Sequence, residues 1–307
     1  MTRPELSIVI PCFNEIENVD AIVAAVQTEA EAHTYSYEII LIDNGSTDGS
    51  RDAIRRICTV NPYVRAILNT RNFGQMRSPT HGIYQARGCA VIGMCADFQD
   101  PPAVIGQLVA LWRGGAKVVL AQRRAEQGAG PLLKLTRGAG YRVLAAMSDH
   151  PPLPNVTGFG LYDREVVDTL KRWNEPEPFF RGMLVESGYP IALVPVERPE
   201  RARGESKNGF APLLGFALSG LAASGKSLLR LPIILSLWAF AIAGLLLLAS
   251  LVLLSATLLG WSVGLAGFGV LLLILGLIGD QVRLLAERTR GMPLVIEEAR
   301  LNFPPSS

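Results

Sequence analysis

A long uncharged run is the feature that most constrains this chain. The segment from Leu231 to Gly279 contains no Asp, Glu, Lys, Arg or His. A helix needs about 20 apolar residues to cross a bilayer, so the run predicts two membrane-spanning helices, at roughly residues 233–254 and 263–279. The turn is expected at LLGWSVG, because Gly260 and Gly264 permit a tight bend. A helical hairpin buried in a water-soluble core is the alternative, but a domain of this size rarely buries so long an uncharged run.

Cations flank the run at both ends, at Lys226, Arg230, Arg283, Arg288 and Arg290. By the positive-inside rule, both flanks are expected in the cytoplasm, which predicts a multi-pass protein of the inner (plasma) membrane with the hairpin at 231–282. Residues 211–230 are apolar with sparse charge and predict an interfacial helix on the membrane surface. An ordinary amphipathic helix packed on the amino-terminal domain explains them equally well. Residues 283–307 are predicted to form a cytoplasmic tail.

The charge balance argues against nucleic acid as a partner, because 29 Lys and Arg are offset by 27 Asp and Glu. The four cysteines form no CxxC pair, so neither a zinc site nor a disulfide framework is indicated. The amino-terminal segment reaches a polar motif within a few residues and lacks the apolar core of a signal peptide. The amino-terminal domain is therefore expected to stay in the cytoplasm.

Strand and helix patterns alternate through the first 210 residues. Runs rich in β-branched residues predict strands at Leu6–Pro11, Tyr37–Asp43, Val64–Asn69, Ala90–Ala96 and Ala116–Arg123. This order predicts an α/β domain with a mainly parallel sheet covered by helices. Four strands end in polar clusters, which read PCFNE, DNGSTDGS, RNFGQ and ADFQD. Because ligands bind outside the carboxyl ends of parallel strands, these clusters predict a binding crevice.

The cluster DNGSTDGS is neither a P-loop nor a dinucleotide turn, since it lacks both GxxxxGK[ST] and GxGxxG. Asp43 at its start is predicted to accept hydrogen bonds from a base or a ribose. Turn formation is the alternative role for Asp43, and Asp48 is expected to cap the following helix.

Six motifs occur in the order expected of glycosyltransferase family 2: SIVIPCFNEIENV, IILIDNGSTDGS, RNFGQ, ADFQDPP, TGFGLYDREVV and RARGESKNGF. The chain resembles the polyprenyl-phosphate branch, the relatives of dolichol-phosphate mannose synthase. The resemblance implies a GT-A fold over residues 1–210. It also implies transfer of a sugar, with inversion, from a nucleotide sugar such as a UDP-hexose or UDP-N-acetylhexosamine to undecaprenyl phosphate. Similar proteins can form tetramers, so a homo-oligomer is also implied.

In that family the pattern D-A-D-x-Q-D-P holds Mg²⁺ or Mn²⁺ against the nucleotide diphosphate, and here it falls on residues 95–101. The resemblance implies that Asp97 is the metal ligand and that Ala96 and Gln99 lie near the diphosphate. Cys95 departs from the pattern, since a protonated, soft thiol suits Mg²⁺ poorly. Phosphate oxygens and water are expected to compensate.

The resemblance assigns further residues, and Asn44 stands where the family has a second Asp after the one at Asp43. Those of the nucleotide site are Pro11, Phe13, Glu15, Asp43 and Arg123, and those facing the diphosphate or the acceptor phosphate are Arg201 and Lys207. Asp100 is expected to cap a helix that begins near Pro101, and Asp163 to start another.

A general base is expected to be unnecessary. In some relatives an Asp proposed as base stands where this chain has Gly158. A phosphate acceptor with a second pKa near ~6 is already largely dianionic at neutral pH. Arg181 and Glu186 suit the acceptor side or ordinary helix packing almost equally, and the three histidines are given no role.

Two other functions remain open at this point. A processive polysaccharide synthase would call for more membrane helices and a QxxRW-type motif, which the sequence lacks. A catalytically inactive membrane adaptor that retains the fold is motivated by Cys95 and Gly158. Fold does not fix activity, so metal-dependent turnover has to separate the adaptor from the transferase.

Overall fold

The computed structural model describes residues 3–123, 153, 155–197 and 291–303, together with individual helical residues between 260 and 289. The strands are β1 (Leu6–Cys12), β2 (Tyr37–Asp43), β3 (Val64–Asn69), β4 (Ala90–Gly93), β5 (Val118–Arg123), β6 (Val156–Asp163), β7 (Ile191–Val196) and β8 (Glu297–Leu301). The helices are α1 (Val19–His33), α2 (Ser50–Val60), α3 (Gly74–Gln85), α4 (Ile105–Arg113), α5 (Arg164–Arg172) and α6 (Phe180–Glu186), with a 3₁₀ turn at Pro102–Val104.

The strands form one sheet in the order β7, β5, β6, β4, β1, β2, β3, β8. The central strands β4, β1, β2 and β3 run parallel, and β5 is parallel to β7. Strand β6 is antiparallel to both of its neighbours, and β8 is antiparallel to β3. The predicted α/β domain with a mainly parallel sheet is therefore confirmed.

The central strands are buried on both faces, which explains their continuous apolar runs. In β2, Ile39 and Leu41 join a core cluster with α1, α2 and α4 on one face of the sheet. Ile40 and Ile42 join a second cluster with α3, α5 and α6 on the other face. This two-sided burial fixes the strand register and holds the carboxyl ends of the strands in place.

Strand β4 ends at Gly93, three residues earlier than the sequence predicts. Met94 still donates its N–H to the carbonyl oxygen of Val9 at 3.1 Å. The next N–H, that of Cys95, is instead bonded to the carboxylate of Asp100. The chain leaves the sheet here because a loop carboxylate replaces the ladder partner.

The carboxy-terminal segment contributes a strand that the sequence analysis does not predict. Residues 297–301, EEARL, lie within the predicted tail but form β8 along the edge of β3. The segment lacks β-branched residues, so no local pattern marks it as a strand. It pairs because β3 would otherwise present an open edge of backbone hydrogen-bonding groups.

The predicted interfacial helix at 211–230 and most of the predicted hairpin lie outside the described residues. Gly260 and Gly264, where a turn is predicted, are both helical. Glycine permits a bend without requiring one. In the part of the chain that the structure describes, no helix is both long and apolar enough to cross a membrane.

Candidate active site

The polar clusters leave the sheet along one edge. Cys12 at the end of β1 lies opposite Asp43 at the end of β2, and Gly93 at the end of β4 pairs with Val9 on the other side of β1. Neighbouring strands lie about 4.8 Å apart, so the loops after β2 and β4 begin on the order of 10 Å from each other. The sheet therefore brings the clusters together as the sequence predicts.

The loops after β1 and β2 are joined by side-chain hydrogen bonds. The backbone N–H of Asn14 donates to Ser46 Oγ at 2.9 Å, and the N–H of Thr47 donates to Asn14 Oδ1 at 2.8 Å. The N–H of Glu15 donates to Ser50 Oγ at 2.8 Å. Asn14 adopts a φ of 57°, a left-handed conformation that Asn tolerates better than most residues. The two loops thus form one cross-linked unit.

Asp43 organises the loop that follows it. Its Oδ2 accepts from the N–H of Gly45 at 3.1 Å and lies 3.1 Å from Arg51 Nε. The Ser46 N–H lies 3.3 Å from both carboxylate oxygens. A Cβ at Gly45 would lie 2.6 Å from the carbonyl carbon of Arg71, so only glycine fits there. The side chain of Asp43 is fully buried; the structure shows its turn role, and its role as a nucleotide ligand stays a prediction.

Asp48 lies one residue before the cap position of α2, which is Gly49, and its carboxylate binds the first helical N–H. Its Oδ1 accepts from the N–H of Ser50 at 3.0 Å and from the Ser50 hydroxyl at 2.6 Å. Burial alone would raise the pKa of Asp48, but these hydrogen bonds and one from the N–H of Ile16 outweigh it and lower the pKa. Glu15 instead holds the side chain of Asn18, the cap residue of α1, because its Oε2 accepts from Asn18 Nδ2 at 2.7 Å. This bond gives Glu15 a structural role that the sequence analysis does not identify.

Asn44 joins the loop after β2 to the RNFGQ loop after β3. Its Oδ1 accepts from the N–H of Phe73 at 2.9 Å and from Asn69 Nδ2 at 3.3 Å. Its Nδ2 donates to Asn72 Oδ1 at 2.8 Å and to the carbonyl oxygen of Gly74 at 3.3 Å. An amide supplies two N–H donors and an oxygen that accepts two hydrogen bonds, which a hydroxyl group with its single O–H cannot match. Three of the four clusters are therefore tied into one framework.

Cys12 lies beneath this framework and is fully buried. Burial raises the pKa of its thiol, and the negative charges of Asp43, Glu15 and Asp48 raise it further. A buried thiol with a raised pKa is a poor nucleophile and a poor metal ligand.

The ADFQD loop closes on its own backbone. Asp97 Oδ1 accepts from the N–H of Gln99 at 3.2 Å, and Asp100 Oδ2 accepts from the N–H of Cys95 at 2.9 Å. Both carboxylates are buried, Asp97 with 6% exposure and Asp100 with 2%. Phe98 between them has a φ of 60°, which is unusual for a bulky residue, and its ring packs on the core. Such strain is typical of functional loops.

The expected cap at Asp100 is wrong. The 3₁₀ turn begins at Pro102, and its cap position is Pro101, which makes no side-chain hydrogen bond. Asp100 lies one residue too early and bonds back into its own loop instead.

A metal site at this loop would be poor in protein ligands. Among the described residues, no three His, Cys, Asp or Glu side chains converge on one point. Mg²⁺ commonly uses only one or two carboxylates together with substrate phosphates and water. The loop offers one carboxylate, that of Asp97, and the thiol of Cys95 two residues earlier. This ligand set fits a metal ion that is bound jointly with a diphosphate, and not one coordinated by protein ligands alone.

The other predicted residues are more dispersed. Pro11 lies in β1 opposite Ile42, Ala96 is buried, and Phe13 is 37% exposed, so Phe13 is not a core residue. Arg123 ends β5, and its N–H donates to the carbonyl oxygen of Asn155 at 2.9 Å. Strand β6 separates β5 from β4, so Arg123 belongs to the far side of the crevice. Arg201 and Lys207 lie outside the described residues.

The residues of the TGFGLYDREVV motif divide between strand and helix. Gly158 lies in β6, and a Cβ there would meet no atom of the described residues within 4 Å. Asp163 caps α5 as predicted, because it accepts from the N–H of Glu165 at 3.0 Å and from Trp112 Nε1 at 2.8 Å. Burial would raise the pKa of Asp163, but these bonds and the charge of Lys117 outweigh it and lower the pKa.

Arg51 is the residue of this region that the sequence analysis misses. It lies in the first turn of α2 and pairs with the buried Asp43. A basic residue one turn after an Asp-rich strand end is a weak signal, since most surface cations are solvated. Only the fold shows that this one turns back under the loop.

Comparison with known sequences identifies the family. The chain matches the model described as glycosyl transferase family 2 over residues 7–171. It is 33% identical over 302 residues to an uncharacterized glycosyltransferase of Synechocystis, covering 95% of this chain and 94% of that one. It is 34% identical over 226 residues to a bactoprenol glucosyl transferase of Shigella phage SfV, covering 74% of each chain.

The fold has solved counterparts. One is the glucosyl-3-phosphoglycerate synthase of Mycobacterium tuberculosis, solved in complex with Mn²⁺, UDP and phosphoglyceric acid, with a TM-score of 0.51 and 18% identity over 74% of this chain and 78% of that one. That likeness concerns the fold alone, and it agrees with the GT-A-like α/β sheet described above. On the sequence match and this fold together, the chain belongs to glycosyl transferase family 2 and is a glycosyltransferase.

Proposed function

We propose that this enzyme transfers a sugar from a nucleotide diphosphate sugar to a polyprenyl phosphate, such as undecaprenyl phosphate, at the membrane surface. The expected donor is a UDP-hexose or a UDP-N-acetylhexosamine. The observation that carries the proposal is the sheet edge where the loops after β1, β2 and β4 meet, with Asp97 in the last of them. The relative named bactoprenol glucosyl transferase supports this class of acceptor.

The donor's nucleotide is assigned to the cross-linked loops after β1, β2 and β3. Their mutual hydrogen bonds hold the backbone in place before the ligand arrives, which lowers the entropy cost of binding. Phe13 keeps a partly exposed ring on which a base can stack. Asp43 and Glu15 lie close enough to Cys12 to influence its pKa, so the end of β1 is an acidic environment suited to donors on a base or ribose.

The acceptor is an oxygen nucleophile that needs no enzymatic base. A phosphate monoester with a second pKa near ~6 is largely dianionic at neutral pH. Its oxygen attacks the anomeric carbon and forms the new C–O bond while the bond from that carbon to the nucleotide diphosphate breaks. Attack from the opposite face inverts the anomeric centre. The presence of Gly158, and not an acid, in β6 accords with this acceptor.

Mg²⁺ or Mn²⁺ is the proposed cofactor, and Asp97 is the residue that would hold it. Such an ion would offset the negative charge that develops on the leaving diphosphate. Gln99 shares the loop with Asp97 through its backbone N–H, so it is placed to orient the same group. Arg201 and Lys207 are assigned to the phosphates on chemical grounds, because guanidinium and ammonium groups suit them.

The path of the chain supports a membrane hairpin. Strand β7 ends at Val196 and β8 begins at Glu297, and both belong to the same sheet. A segment that leaves a domain and returns to it must cross a bilayer an even number of times. Two crossings within residues 231–282 meet this condition. The catalytic domain and residues 291–303 would then lie on the same side of the inner membrane, which we propose is the cytoplasmic side.

Exposed apolar residues of the helical segment accord with contact to lipid. Leu271 and Ile278 are both helical and more than half exposed. Both lie within the predicted hairpin, and a lipid environment would cover their side chains.

An inactive membrane adaptor is the second candidate. It is favoured by Cys95, which stands where the family pattern has its first carboxylate. Loss of that ligand weakens the case for metal binding but leaves the framework of loops intact.

The test uses the purified full-length protein in detergent with undecaprenyl phosphate, Mn²⁺ or Mg²⁺, and a panel of UDP- and GDP-sugars. We expect a glycolipid of the corresponding mass, absent when EDTA is added and reduced about 100-fold or more in Asp97→Asn. The matched control is Asp20→Asn, which removes a carboxylate that only forms an exposed ion pair with Arg56. No glycolipid from any donor would favour the adaptor. A parallel assay replaces the lipid with phosphoglycerate. Product with phosphoglycerate but not with undecaprenyl phosphate would overturn the proposal that the acceptor is a polyprenyl phosphate.

A further inference from the structure

Two consecutive acidic residues, Glu297 and Glu298, begin the carboxy-terminal strand β8. In a regular strand, successive side chains point to opposite faces of the sheet. The pairing with β3 is not regular here, because Leu68 lies opposite Ala299 and Asn69 lies opposite Glu297. Glu298 is thus the extra residue of a β-bulge. A bulge shifts the alternation of the strand and redirects its side chains.

The contacts of β8 show the result of this shift. Glu297 contacts His81 of α3, with Oε1 at 2.6 Å from His81 Nε2. Glu298 lies on the other face and contacts Arg51 and Arg55 of α2. Ala299 packs on the core of that same face. Two adjacent residues therefore face α2, which a regular strand would not allow, and the bulge is what brings Glu298 to Arg51.

Arg51 connects this surface carboxylate to a buried one. Its Nη2 donates to Glu298 Oε2 at 2.8 Å and to the carbonyl oxygen of Asn69 at 3.2 Å, and its Nε lies 3.1 Å from Asp43 Oδ2. The side chain of Glu298 is 45% exposed, that of Arg51 24%, and that of Asp43 0%. A chain of charges thus runs from the carboxy-terminal strand to the loop after β2.

The Nε contact with Asp43 is an ion pair without good hydrogen-bond alignment, because Arg51 Nε satisfies no hydrogen-bond geometry. Such a contact depends on how the guanidinium is held from its other side. Glu298 and the Asn69 carbonyl fix that side. Without Glu298, the long and partly exposed side chain of Arg51 gains access to other rotamers. The buried negative charge of Asp43 is then less well paired with the positive charge of Arg51.

We infer that Glu298 is a positioning residue for the nucleotide half of the active site and acts through Arg51 on Asp43. Asp43 holds the amides of Gly45 and Ser46, and Ser46 in turn bonds to Asn14 in the loop after β1. A change at Glu298 is therefore transmitted to both loops assigned to the nucleotide. This inference rests on the proposed function, since it presumes that those loops bind the donor.

The test compares Glu298→Gln with two controls in the full-length protein. Glu297→Gln removes the neighbouring carboxylate on the opposite face, and Arg55→Gln removes a cation that contacts Glu298 but not Asp43. Binding of UDP and GDP is measured by calorimetry, and KM and kcat are measured with the preferred sugar nucleotide. We expect Glu298→Gln to weaken nucleotide binding and raise KM about three- to tenfold with kcat within about twofold. Both controls should bind nucleotide within about twofold of the wild type.

A double variant with Arg51 distinguishes a positioning role of Glu298 from a general loss of stability. If Glu298 acts only through Arg51, the double variant with Arg51→Gln should bind nucleotide as weakly as Arg51→Gln alone. Additive losses, or equal weakening by Glu298→Gln and Glu297→Gln, would overturn the inference while leaving the proposed function standing. A wild-type protein that binds neither nucleotide would overturn both.

Discussion

Asn44 illustrates how a single buried amide sets the shape of a site. Its carbonyl oxygen accepts two hydrogen bonds and its NH₂ group donates two, all within the loops after β2 and β3. Family resemblance suggests only that an acidic residue is missing at this position. The structure gives the physical reason for the amide, since the partners Asn72 Oδ1 and the Gly74 carbonyl oxygen are both acceptors.

We predict that Asn44→Asp destabilises the protein although it restores the more frequent residue. The carboxylate would face two acceptors at a position with 7% exposure, at a cost of about 2 kcal/mol. Thermal unfolding monitored by fluorescence should show a lower midpoint, and KM for the sugar nucleotide should rise. Asn61→Asp is the control, because it loses only one donor contact, to Gln27, away from the site. An Asn44→Asp protein as stable as the wild type would contradict this account.

At the residue scale, the sequence predicted roles better than it predicted partners. The helix-starting roles of Asp48 and Asp163 are recognisable because an Asp just before an amphipathic helix is a local pattern. Asp100 was misassigned because its partner, the N–H of Cys95, is created by the turn of the loop. The pairing of Arg51 with Asp43 depends on where α2 packs, which no local pattern contains.

Strand β8 is held to the rest of the sheet domain by side-chain contacts as well as by its backbone. Its Glu297 accepts hydrogen bonds from His81 of α3 and from Arg300 of its own strand. Burial would raise the pKa of Glu297, but these bonds outweigh it and lower the pKa to about 2. The strand is thereby attached to α3 by a side-chain hydrogen bond as well as to β3 by its backbone.

The attachment of β8 should depend on pH in the acid range. Because the folded pKa of Glu297 is below its ordinary value, its stabilisation is complete above about pH 4.5 and is lost as pH falls toward 2. Glu297→Gln should lower the free energy of unfolding by about 1–2 kcal/mol at pH 7 and by progressively less below pH 4.5. Urea titrations at several pH values measure this difference.

The control for that prediction is Glu29→Gln, which removes a carboxylate 3.5 Å from His33 on the surface of α1. It should change the unfolding free energy by less than about 0.5 kcal/mol. If the two substitutions lowered the unfolding free energy equally, Glu297 would not hold β8 as described. The same would follow if the loss caused by Glu297→Gln did not shrink as the pH falls.

At the element scale, the sequence predicted the central strands β1, β2 and β3 to within one residue, because two-sided burial leaves continuous β-branched runs. The same reading missed β8, whose charged sequence is specified by tertiary partners and not by its own propensity. At the edge of a sheet, the local sequence pattern therefore says little about whether a segment forms a strand.

For the whole molecule, the proposed membrane hairpin leads to a defined topology. Both ends of the segment between β7 and β8 belong to one sheet, so they must lie on the same side of a membrane. We predict that green fluorescent protein fused after Ser307 fluoresces and that alkaline phosphatase fused after residue 261 is active in bacterial cells. Phosphatase fused after residue 197 should be inactive. Activity at 197 and inactivity at 261 would rule out the proposed arrangement.

The position of β8 also affects the order in which the molecule is made. Thr70 and Ile296, whose backbones are hydrogen-bonded beside this strand pair, are 226 residues apart. At synthesis rates of 5–20 residues per second, the β3 edge stays open for roughly 10–45 seconds before its neighbour emerges from the ribosome. During that interval a newly made chain exposes an unpaired strand, and residues 297–301 then close that edge to other chains.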